Sequence, residues 1–171
     1  MSNNKIFGWC AWAWAVTCFI VLLIIAILNL SNHALMLRGY ELNGVHWLIL
    51  ISNSLLMAYY EGYKGFQCAY SPRFAARARS LPQGYTRKRA LLAPFFCMGF
   101  FDAPRRRIIA AYLLTAMIVF FVLLFRVLPQ PWRGALDVGV VIGLSWGCIA
   151  TMVSIIQSLR FERPIVDPEI V

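Results

Sequence analysis

Asn53, Met57, Glu61 and Lys64 recur at three- and four-residue spacing, so an α-helix would place them on one face, with Tyr60 beside them. The surrounding chain is apolar. Polar groups inside a membrane are costly, which makes a line of amide, carboxylate and amine a candidate path for an ion or polar substrate. The competing reading is structural. Glu61 would sit near the cytoplasmic interface and pair with Lys64 or a loop arginine, while Asn53 would bond between helices. Asp102 is a second carboxylate, flanked by Arg105, Arg106 and Arg107. Facing Glu61 among arginines, it could serve phosphoryl or lipid-headgroup chemistry. Asp102-Ala103-Pro104 also reads as the cap of a following helix. The spacing is not diagnostic of catalysis, and no catalytic residue is assigned.

Ala135, Gly139, Gly143, Gly147 and Thr151 recur every four residues. Small residues at that spacing share a helical face and admit another backbone closely. The face could pack on another helix of the chain, on another subunit, or against a lipid, pigment or quinone. Asp137, near the start of the same stretch, suits a helix N-terminus and can pair with Arg133 or Arg126.

His33 and His46 could ligate haem or a metal, but no third ligand is evident and neither falls mid-span. The five cysteines form no CxxC pair, so neither a zinc site nor a disulfide framework is expected. No metal or cofactor is assigned. Small multidrug exporters need an acid in the first helix, quinone-linked thiol oxidoreductases need CxxC, and membrane di-iron enzymes need many histidines. The chain has none of these.

The elements that must position these residues follow from composition. The chain is 61% hydrophobic and 13% charged, and its apolar residues fall in long blocks, which places it among membrane proteins. Apolar stretches predict an all-α integral membrane protein in one domain. Four transmembrane helices are expected at about 9–30, 45–64, 107–128 and 132–159, forming two hairpins. Trp9, Trp12 and Trp14 suit an interfacial belt.

Between the hairpins lies a basic interfacial loop, about 65–106. Ser71-Pro72 reads as the start of a short surface helix carrying Arg73, Arg77 and Arg79. Arg87, Lys88 and Arg89 lead into the apolar stretch 90–101, which is too short to span. Arg105, Arg106 and Arg107 precede the third span. All nine cations are expected to touch anionic lipid. With four spans, most basic residues share one side, so both termini and the loop are expected to be cytoplasmic, in a bacterial inner membrane. The net charge of +9 is thereby assigned to topology rather than to nucleic acid.

The function expected is a non-catalytic accessory or scaffolding subunit, associating with other membrane subunits or with itself. The alternatives are a small transporter or channel using Asn53, Glu61 and Lys64, and a lipid-headgroup enzyme.

Overall fold

The computed structural model describes residues 3–84, 86–160, 167–168 and 170. Among them every regular element is helical. Helix α1 spans Asn3–Leu35, uninterrupted because no proline or charge breaks it beyond Lys5. A 3-10 turn, Met36–Gly39, leads towards α2, Gly44–Met57. Asn43 opens α2 through a capping box: His46 N donates to Asn43 Oδ1 at 3.0 Å, and Asn43 N donates to His46 Nδ1 at 3.2 Å. His46 is therefore a capping residue, and its ring also lies 4.4 Å from that of Trp132.

The helix expected as the second span does not end near residue 64. The chain continues in helical conformation through Ala58–Tyr70, wound as a π-helix, and on into α3, Ser71–Ser80. The junction residues Ala58 and Ser71 both keep right-handed helical dihedrals, so 44–80 is one unbroken rod. Ser71-Pro72 is thus not a helix start. Pro72 falls where i→i+5 pairing gives way to i→i+4, a change of step at which its missing donor is tolerated.

Two short helices follow, α4 at Arg87–Leu91 and α5 at Ala93–Met98. Gly99 ends α5 in the left-handed conformation at φ 88°, which glycine adopts without a Cβ penalty. Helix α6 spans Arg105–Val127 and α7 spans Trp132–Arg160. Among the described residues three helical stretches are long and apolar enough to cross a membrane: Lys5–Gly39, Arg105–Val127 and Trp132–Arg160. The rod at 44–80 is not among them, because its centre is too polar.

Three rods make the bundle. Leu37 at the end of α1 lies on Gly134 at the start of α7, while Gly8 at the other end of α1 lies on Pro82, just past α3. Helix α1 therefore runs antiparallel to both the 44–80 rod and α7. The core sits towards the Gly8 end, where Ala11, Ala15 and Phe19 meet Phe74, Ala78, Ala93 and Phe96. Phe19 stacks on Phe74 at 4.6 Å and on Tyr70 at 5.3 Å.

This core corrects the surface-helix reading of the loop and takes in its apolar stretch. Residues 71–80 do not lie on the membrane surface: Phe74, Ala75, Ala76, Arg77 and Ala78 are all buried. The stretch 90–101 packs under the bundle, burying Ala93, Pro94, Phe96 and Cys97. Helix α6 is the exception to the packing. None of its residues is buried, and it does not lie along α7 as a hairpin partner would. A ring contact between Phe100 and Tyr112, 5.2 Å between centroids, ties its first turns to the α5 loop.

Candidate functional site

The small-residue face of α7 holds the side chains that sequence spacing singled out. Ala135, Gly139, Gly143, Gly147 and Thr151 are all buried. Each receives a group from the 44–80 rod. Asn53 lies against Gly139 and donates through Nδ2 to the carbonyl of Leu136 at 3.0 Å and to that of Ala135 at 3.4 Å. Glu61 lies across Gly143: a Cβ built there would stand 2.5 Å from Glu61 Oε2 and 3.1 Å from its Cδ. The ring of Phe66 covers Gly147. The Ser71 and Thr151 hydroxyls share a hydrogen bond of 2.8 Å, and Thr151 Oγ1 donates to the carbonyl of Gly147 at 2.8 Å. The pairs run in the same order on both helices, so the two rods are parallel.

The π winding sets this register. With i→i+5 bonding a five-residue step stays nearer one face than it does in an α-helix, and Glu61, Phe66 and Ser71 match Gly143, Gly147 and Thr151. In an α-helix a five-residue step would turn the side chain about 140° away. Gly62 makes the close approach possible, since a Cβ there would stand 2.9 Å from Trp146 Cβ.

The same winding dismantles the expected polar line. Lys64 leaves the interface, and its ammonium lies over the rings of Tyr59 and Tyr60 at 5.1 and 5.4 Å. Glu61 does not sit at a helix end. Gly143 lies eleven residues into α7 and seventeen from Arg160, so the carboxylate lies about 25 Å along the axis from that arginine. Asp102 belongs to a separate cluster, and the structure does not bring it to Glu61.

That second cluster is built on Arg77, which is 4% exposed. Its Nε donates to the carbonyl of Phe96 at 2.8 Å, and NH2 donates to those of Phe101 and Asp102, both at 2.9 Å. The guanidinium also stacks on the Phe96 ring at 4.5 Å. Three carbonyls of the α5 loop are thus satisfied by one fork of donors. Asp102 has φ 51°, a left-handed conformation that aspartate tolerates better than most residues. Its carboxylate accepts from Arg89 Nε at 2.6 Å. It does not cap α6, whose N-cap is Pro104 with no side-chain cap bond. Burial pushes the nearby Cys97 thiol up to about 12, partly opposed by Arg77.

The nine cations assigned to lipid therefore divide. Arg77 is interior, Arg89 is paired with Asp102, and Arg73, Arg79 and Arg107 are half-buried, whereas Arg87, Lys88, Arg105 and Arg106 are exposed. At the opposite end of α7, Asp137 is buried and pairs with Arg133 at 3.7 Å.

Sequence reasoning missed Phe66, Gln67, Ser71 and the interior role of Arg77. Gln67 Oε1 accepts from Trp146 Nε1 at 2.8 Å, which covers the outer edge of the Gly62 contact. Signals were present: Gly62 and Gly65 inside an otherwise continuous helix, and three alanines around Arg77. Among the described residues no group of three or more histidine, cysteine, aspartate or glutamate side chains could hold a metal ion. No known family, curated protein or solved structure matches this chain.

Proposed function

We propose that this chain is a non-catalytic integral membrane protein that serves as an accessory or scaffolding subunit and joins other membrane proteins through α6. The observation that carries this reading is the division of labour among the long helices. Helix α1, the 44–80 rod and α7 hold one another, while no residue of α6 is buried. Beyond its first turns, its lateral surface is available to a helix of another chain.

The register supports four crossings. Two parallel neighbours, the 44–80 rod and α7, require the chain to return between them, and α6 is the apolar helix that lies there in sequence. Both termini and the α4–α5 loop then share a side. The exposed Arg87, Lys88, Arg105 and Arg106 favour the cytoplasm for it, as expected in a bacterial inner membrane.

The test is extraction into native nanodiscs, beside a variant with residues 108–125 replaced by mixed leucine and alanine. A stoichiometric membrane partner is expected with the natural chain and is lost from the variant, which still folds. No partner with the natural chain, or equal capture by the variant, overturns the reading.

A second reading has one specific support. Glu61 lies on the middle of α7, and no ion pair of its carboxylate is formed among the described residues. That is the placement of a proton or cation site in a small transporter. Glu61→Gln in reconstituted vesicles checks it: assembly is retained under both readings, and proton or cation flux changes only under this one. The headgroup-enzyme alternative loses its support, since Glu61 and Asp102 stand in different clusters.

A further inference from the structure

A groove of about 480 Å³ opens between α7 and the 44–80 rod. That is within the range of about 300–1,000 Å³ typical of small-molecule sites. Its wall on α7 is exposed, with Trp146, Ile149 and Val153 facing outward from the bundle. In a membrane-spanning helix this face meets lipid.

The lining changes character along the axis. At one end lie Ser154, Gln157 and Ser158, and the exposed Arg160 follows three residues beyond Gln157. Ser154 and Gln157 make no hydrogen bond among the described residues, and Ser158 donates only to the carbonyl of Ile155 at 2.8 Å. The middle is apolar, formed by Ile149, Ala150 and Val153 against Ala75 and Ala76. The far end is closed by the bond from Trp146 to Gln67. From Gln157 to Trp146 is eleven residues, about 16 Å of helix. Half of a bilayer's hydrocarbon core is about 15 Å.

Cation, hydrogen-bonding side chains, apolar trough and stop follow in the order of phosphate, glycerol ester, acyl chain and bilayer midplane. We infer that this groove is a binding site for one anionic phospholipid of the leaflet at the Arg160 end. Arg160 meets the phosphate, Gln157 and Ser154 meet the ester oxygens, and one acyl chain lies along Val153 and Ile149 as far as Trp146. The site rests on α7 and the 44–80 rod, and it stands whether or not α6 recruits a partner.

Native mass spectrometry of the full chain, with phosphatidylglycerol or phosphatidylcholine added, tests this. The natural chain is expected to retain one phosphatidylglycerol in preference to phosphatidylcholine. Ala150→Phe fills the trough and should abolish retention of either lipid. Arg160→Gln should lower the preference for phosphatidylglycerol about fivefold while the chain still binds. Gln157→Leu, at an exposed position, weakens retention even if Ala150→Phe fails to fold. No retained lipid, equal retention of the two lipids by the natural chain, retention unchanged in Gln157→Leu, or a second copy of the chain in place of lipid overturns the proposal.

Discussion

Helices α6 and α7 are both long, both apolar and adjacent in sequence, yet they behave oppositely. Helix α6 holds the more apolar central stretch of the two, and none of its residues is buried. Helix α7 holds the less apolar one and buries eleven residues, four of them glycine. Hydropathy therefore predicts the wrong one as the centre of the fold. In lipid, apolar side chains gain nothing by leaving the solvent for a neighbouring helix. What gathers helices is close backbone approach and polar groups that find partners. Helix α7 offers Gly139, Gly143 and Gly147 as seats, and Asn53, Glu61 and Phe66 occupy them. Helix α6 contains no glycine, and its cations stand only at its two ends.

The largest expected effect comes from filling a seat. Gly143→Leu places a branched side chain where Glu61 already lies, and should abolish accumulation of a monodisperse protein, read by fluorescence-detected size exclusion. Val119→Leu, in the middle of α6, should leave the elution profile unchanged. Equal behaviour of the two variants would dissolve the contrast between the helices.

Next comes the arginine pair that contrasts interior with surface. Arg77→Gln cannot reach all three carbonyls of the α5 loop, and should cost about 3 kcal/mol from unsatisfied buried acceptors. Arg106→Gln, at the exposed start of α6, should cost under about 0.5 kcal/mol. Thermal unfolding in mild detergent, followed by alkylation of the buried Cys97, separates them. A wild-type midpoint for Arg77→Gln would show that the α5 loop holds without it.

The smallest effect is at the polar bond between rods. Asn53→Ala removes the donor to Leu136 and Ala135 and should cost about 0.6 kcal/mol, the average for hydrogen bonds between membrane helices, and no more than about 1.7 kcal/mol. The same measurement applied to Thr115→Ala in α6, whose hydroxyl among the described residues bonds only to the carbonyl of Ala111, should show no loss. A larger shift for Thr115→Ala would place α6 inside the fold rather than beside it.

Much of the molecule was legible in residue order, and the failures have a common cause. Candidate spans at α1, α6 and α7 follow from uncharged stretches of about the length a bilayer needs, and the seats on α7 follow from four-residue spacing of small residues. The second helix was misread because its face was drawn with a period of 3.6. The pattern Asn53, Met57, Glu61, Lys64 assumes that period throughout, and the π segment breaks it after Met57. Ser71-Pro72 reinforced the error, since serine followed by proline is a strong local start signal. Arg77 was grouped with Arg73 and Arg79 because neighbouring arginines look alike until their surroundings are known.

What the sequence by itself determined is that the chain is helical and where its long apolar helices lie, because the length and hydropathy of each stretch are local properties. It also marked the face of α7 that others approach, because a missing side chain is visible without its neighbour. Only the tertiary structure decided which helix fills that face, that Lys64 turns away while Phe66 turns in, and that Arg77 is interior. Those outcomes depend on winding and register between segments far apart in the chain, and no local pattern carries that information.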